Sequence, residues 1–150
     1  MAVFASPLQL DTYLIDEITV KANPAFDPSV EEFEGKIAVA PQHLILKEDG
    51  NYHQLVLAVS YIPREDDETK LPYVVEITGR GFYRFEGSDM TADDQRQMLV
   101  LNGSSILYGL LRAEVAHVTA LGRYGTMLLP TVNLVEAFRG SVLQATEPAE

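Results

Sequence analysis

Apolar and polar residues alternate through the first half of the chain and switch to a helical spacing towards its end. Between positions 8 and 20 the even sites hold Leu8, Leu10, Leu14, Ile18 and Val20, while Gln9, Asp11, Glu17 and Thr19 take odd ones. A period of two over this length predicts a strand with one buried face. Asn23-Pro24 and Asp27-Pro28 end it, because proline has no amide donor and turns its predecessor away from helix. Residues 24–35 read as an acidic loop in which Phe26, Val30 and Phe33 pack locally. A second strand is predicted over 36–47. Its alternation, Ile37 and Val39, is interrupted at Pro41-Gln42 and resumes with changed parity at Leu44 and Leu46, the mark of an edge strand or a bulge. Glu48-Asp49-Gly50-Asn51 has the composition of a tight turn. The third strand sets Leu55, Leu57, Val59 and Tyr61 on one face and Gln54 and Ser60 on the other. After a charged connector over 63–70, the fourth, 73–85, sets Tyr73, Val75, Ile77, Tyr83 and Phe85 on one face with Gly79 and Gly81 between them. Its other face carries Val74, Glu76, Thr78, Arg80, Phe82 and Arg84.

Thr91 with Asp94 is a capping arrangement that predicts a short helix over roughly 92–101. The main helix is predicted to begin after Asn102-Gly103-Ser104-Ser105, whose serines read as caps, and to carry Leu107, Leu110, Leu111, Val118 and Leu121. Gly122 suits a left-handed stop. An apolar connector, Leu128-Leu129-Pro130-Thr131-Val132, then leads to a last helix capped by Asn133, with Leu134, Val135, Phe138 and Val142 as its stripe. Residues 144–150 read as a frayed acidic tail. The pattern predicts one α+β domain over 1–150, ordered over about 8–143: a four-stranded antiparallel sheet followed by two to three C-terminal helices packed on one face. The other face keeps Val74 and Phe82, and the first strand adds Tyr13 and Ile15 opposite its buried row. A half-apolar open face predicts contact with another subunit.

Charge narrows the partners. Lys and Arg number 11 against 22 Asp and Glu, a net charge of −11. Such a surface repels phosphate backbones and anionic lipid and favours basic partners, so nucleic acid and membrane surfaces are not expected. No apolar run approaches the roughly 20 residues that span a bilayer, and the N-terminus has no secretory-signal pattern. The chain has no cysteine, which removes disulfides and thiolate chemistry and fits a reducing cytoplasm.

Catalytic chemistry finds little support. His43, His53 and His117 sit in different elements without ligand spacing, although two of them can meet across paired strands. Asp66-Asp67-Glu68 and Glu31-Glu32 with Glu34 lack the alternation of a calcium loop. Gly79-Arg80-Gly81 lies inside a strand, where close backbone contact explains it better than phosphate binding. No nucleophile elbow surrounds Ser104-Ser105. The expectation is a non-enzyme without metal or cofactor.

In its order of elements the chain resembles the SecB family of export chaperones. The likeness runs over roughly 8–142. It rests on Tyr13-Leu14-Ile15-Asp16-Glu17-Ile18-Thr19-Val20, on Tyr73-Val74-Val75-Glu76-Ile77 leading into Gly79 and Gly81, and on an ending with Ile106-Leu107-Tyr108, Arg112, Gly122, Tyr124, Leu129 and Val132-Asn133. The chain departs from the family at Gly109-Leu110, at Gly125 and at Leu134. The resemblance implies a cytoplasmic homotetramer, a dimer of dimers, that holds unfolded preproteins in apolar grooves without nucleotide and passes them to the translocation motor ATPase. Client contacts would come from Tyr124, Met127, Leu128, Leu129 and Val132, with Phe138, Val142, Leu44 and Leu46 in support. Motor docking would use Glu17, Val74 and Glu76, with Lys21 standing where an acid is expected. Subunit contacts would involve Tyr13, Ile15, Val74, Phe82, Leu107 and Leu111. A solitary member would instead serve a toxin–antitoxin system and bind an antitoxin. Outside this family, an adaptor with the same fold remains open. A small-ligand-binding α+β domain is the other class, although such folds place a long helix before or between the early strands.

Overall fold

The computed structural model describes residues 1–45, 52–87 and 89–138. Strands β1 (Leu8–Ala22), β2 (Lys36–Ile45), β3 (Tyr52–Ile62) and β4 (Tyr73–Phe85) form one antiparallel sheet in the order β1-β4-β3-β2. The helices α1 (Ala92–Met98), α2 (Ser104–Thr119) and α3 (Leu134–Phe138) follow and cover one face. This is the α+β architecture expected, a four-stranded antiparallel sheet with C-terminal helices on one side. The predicted tight turn at 48–51 and the tail at 144–150 lie outside the described residues.

The covered face forms the core. Tyr73, Val75, Ile77, Tyr83 and Phe85 of β4 and Leu55, Leu57, Val59 and Tyr61 of β3 are buried against Leu99, Leu107, Leu111 and Val115. Burying a leucine or phenylalanine of this kind is worth about 1.5–3 kcal/mol. Gly79 and Gly81 make the close approach possible: a Cβ on Gly79 would run into Leu111 and one on Gly81 into the Tyr83 ring.

Strand β1 departs from a simple alternation. Its register against β4 shifts twice, between Leu10 and Thr12 and between Ile15 and Glu17. Each bulge flips the parity. The core-side row is therefore Leu8 and Leu10, then Tyr13 and Ile15 opposite Gly81 and Gly79, then Ile18 and Val20 opposite Ile77 and Val75. Tyr13 and Ile15 thus face the helices, with the Tyr13 hydroxyl donating to Glu114 on α2 at 3.2 Å. Leu14 points to the open face, 51% exposed. The two bulge aspartates reach Arg84 from Asp11, at 2.8 Å, and Arg80 from Asp16, at 2.9 Å.

The bulge expected in β2 does not form. Lys36 to Ile45 pairs with β3 without a shift, and His43, not Leu44, continues the core row. Pro41 is tolerated because β2 is an edge strand.

The helical layer corrects several further expectations. Thr91 caps α1, accepting from Asp94 N at 3.2 Å. No break follows, however. A π-helical turn, Leu99–Gly103, carries the chain straight into α2. Gly103 is helical and buried, and its carbonyl takes the Tyr83 hydroxyl at 2.6 Å. The serines are not caps: Ser104 is buried, and Ser105 bonds back to Leu101 O. At the other end α2 closes at Thr119, so Leu121 is 93% exposed, and Val115 and Thr119 occupy the buried stripe instead. Beyond α2 the glycine with positive φ is Gly125, at +78°, and not Gly122. Gly122 is required by packing, since a Cβ there would lie 2.6 Å from the Tyr73 hydroxyl.

Candidate functional site

The connector between α2 and α3 is irregular and, among the described residues, pairs with no strand. Its backbone groups need partners, and α2 supplies them from side chains. Thr119 Oγ1 accepts from Met127 N at 2.9 Å and lies 3.2 Å from Met127 O. Arg112 Nε donates to Leu129 O at 2.8 Å, and the Tyr108 hydroxyl donates to Pro130 O at 2.5 Å. Burial pushes the Tyr108 phenol up to about 12, so it remains a donor at neutral pH. Further back, the Tyr73 hydroxyl takes Tyr124 N and donates to Gly125 O, both at 2.8 Å. Tyr108, Arg112 and Gly122, which carried the resemblance in sequence, thus hold or accommodate this segment.

Such clamping gives the connector an inside and an outside. Met127 and Leu129 are fully buried, whereas Leu128 between them is 51% exposed. The expectation that Met127 and Leu129 offer surface to a client is therefore corrected, because both side chains lie within the protomer's core. Tyr124, Val132 and Phe138 are half-buried against that core. Leu44 lies across the sheet: opposite Gln54, it shares the open face and not the connector side. Leu46 and Val142 lie outside the described residues.

An aromatic platform adjoins the connector. Phe26 packs edge-on to Tyr124 at 4.9 Å and to Phe33 at 5.9 Å, and Tyr73 closes the group 5.9 Å from Tyr124. Asn23 anchors the loop that carries the two phenylalanines, donating to Glu68 O and Leu71 O at 2.8 Å. Phe33 is 42% exposed. In the sequence these phenylalanines appear only as local packing for an acidic loop. Their juxtaposition with Tyr124, about a hundred residues away, has no signature in spacing.

The open face of the sheet is a second candidate. Glu17 stands opposite Thr78, Glu76 opposite Thr19, and Val74 opposite Lys21, so the three expected docking residues and Lys21 share that face. Glu17 and Glu76 border a shallow depression of about 300 Å³ floored by small side chains, Ala38, Ala40, Ala58, Ser60 and Thr78. Phe82 lies on the same face against Tyr52, ring centroids 6.2 Å apart. Among the expected subunit contacts, Leu107 and Leu111 are wholly buried and offer no surface. On α2 the exposed apolar residues are Ile106, Val118 and, just beyond its end, Leu121.

The described residues contain no group of three or more metal-ligating side chains. None of their helices is long and apolar enough to cross a membrane. No family model matches the chain, and no curated protein matches it by sequence. Among solved structures, it is similar to a SecB-like chaperone of Mycobacterium tuberculosis in complex with a ChAD peptide from the HigA1 antitoxin: 10% identity, 84% of this chain, 91% of that chain, TM-score 0.65. A protein of unknown function from Streptococcus agalactiae matches at 12% identity, 85% of this chain, 100% of that chain and a TM-score of 0.46. With so few identical residues, the first likeness is one of fold: the chain is folded like a SecB-like chaperone.

Proposed function

We propose that the chain is an ATP-independent chaperone of the SecB type that holds unfolded polypeptides on the apolar surface around its connector, and that it is not an enzyme. The observation that carries this reading is the outward side of the clamped segment. Leu128 stands exposed on a backbone fixed at Met127, Leu129 and Pro130, with Phe26, Phe33 and Tyr124 grouped nearby and half-buried Val132 and Phe138 following in the chain. A fixed apolar ledge of this kind binds extended chains through side chains without needing one client sequence.

The client is either a preprotein or an antitoxin. The solved complex of the similarly folded chaperone with an antitoxin peptide supports the second. The open-face trio Glu17, Val74 and Glu76 supports delivery to a basic segment of a translocation motor, working in the cytoplasm. Self-association into a tetramer would use Ile106 on the exposed side of α2 and Leu121 just beyond its end, together with Phe82 on the open face.

The test is suppression of aggregation of an unfolded precursor, measured by light scattering, with Leu128→Asp and Phe33→Asp compared to the parent. Loss of at least half the suppression, with the melting temperature unchanged, is the expected result. A parent protein that leaves aggregation unaltered and elutes as a strict monomer sinks the proposal. Pull-down with an antitoxin peptide against a preprotein separates the two client readings.

A further inference from the structure

We infer that His43 and His53 form an acid-release latch between the edge strand β2 and the rest of the sheet. His43 Nε2 and His53 Nδ1 stand 2.9 Å apart, and both residues are buried, at 1% and 3% exposure. They are diagonal neighbours on the core face, His43 opposite Leu55 and His53 opposite Ile45. Their ring centroids are 5.2 Å apart, and His53 also packs edge-on against Phe85 at 5.2 Å.

A nitrogen–nitrogen contact of this kind holds one hydrogen: one ring donates and the other offers a lone pair. Two neutral rings satisfy it, and so does a pair sharing one extra proton. Two imidazolium rings do not, because both facing nitrogens then carry hydrogen and two positive charges meet away from water. Among the described residues, the charged or titratable groups acting on His43 include His53 from β3 and Arg96 from α1. Among the described residues Arg96 pairs with Asp93, at 3.6 Å, whose side chain is 90% exposed and screens it weakly. Burial, followed by the charges of His53 and Arg96, holds His43 far below the ordinary imidazole range, down to about 4.

The latch is therefore closed at neutral pH, and acid opens it. What moves follows from the topology. Among the described strands β2 pairs with β3 alone, and α1, which has no buried residue of its own, reaches this corner through the charge of Arg96. Opening uncovers buried Leu55, Phe85 and Leu99.

The test titrates the whole chain from pH 7.5 to 3.5, following binding of the dye ANS and the imidazole resonances by NMR. His43→Gln and His53→Gln are compared with the parent, since glutamine keeps a hydrogen-bonding amide at the site but does not titrate. We expect a several-fold rise in ANS fluorescence between about pH 5 and 4, as a second proton enters the buried pair, with His43 taking up its proton well below the ordinary imidazole range. In the glutamine variants the rise shifts to lower pH by about one unit or disappears. Ordinary midpoints for both buried histidines, or an ANS transition identical in both variants, overturns the latch. If both variants misfold at neutral pH, the NMR titration of the parent decides.

Discussion

On its covered face β4 carries Gly79 and Gly81, and Leu111 settles over the first so closely that a methyl group would collide with it. On its open face the same strand projects Arg80, Phe82 and Arg84, two of them tied to the bulge aspartates of β1. Thirteen residues of one strand thus serve two regimes. The covered side is decided by shape, where stability depends on filled volume. The open side is decided by charge and small side chains, where water screens each pair and stability depends little on any of them. A surface free of stability constraints is available for partners, and the connector repeats the division on a smaller scale, with Met127 and Leu129 inside and Leu128 outside.

Substitutions on the two sides break or sharpen that contrast. Leu111→Ala opens a cavity over Gly79 and is expected to cost about 2–5 kcal/mol, read from the urea midpoint. A loss below about 1 kcal/mol shows that the covered face is not organised by packing. Acid acts on the same side. The His43 imidazole is depressed in the folded chain, so unfolding binds the extra proton, and stability present above about pH 6.5 declines as pH falls towards 4. That decline amounts to about 3 kcal/mol and is removed in His43→Gln.

Thr119→Val takes both polar contacts from the buried Met127 backbone and is expected to cost about 1–3 kcal/mol. Faster amide exchange at Met127 and Leu129 accompanies it if the clamp is what orders the connector. On the open face, Asp16→Asn removes a half-exposed ion pair to Arg80 and is expected to cost less than about 1 kcal/mol. Glu17→Gln with Glu76→Gln moves stability by no more than about 0.5 kcal/mol. The same pair weakens binding of a basic peptide at low salt. If the double variant unfolds the chain, or peptide binding ignores it, the open face is not the screened docking surface described.

Much of the layout was legible in the residues. The limits and both faces of β4 follow from its period, Thr91 and Asn133 cap the helices as their side chains require, and proline places β2 at an edge. The misreadings have physical causes. Leu14 fits the alternation of β1 as well as Tyr13 does, since a bulge changes parity without changing composition. Its position is fixed by what β4 offers to Asp11 and Asp16. Asn102-Gly103-Ser104 has every local reason to break a helix, yet burial of Gly103 and the Tyr83 hydroxyl on its carbonyl keep the chain helical. The candidate site was half visible: its apolar connector stood out, but which side chains face outward did not.

Alone, then, the sequence determined the number of strands, the helix-capped ending and the absence of cysteine chemistry, because these depend on periodicity, capping and composition within short stretches. Tertiary structure decided the strand order β1-β4-β3-β2, the inside and outside of the connector, the aromatic platform and the histidine pair. Each of those joins residues from different elements, and which groups meet there is set by the packing of whole layers, a quantity no local window of the chain contains.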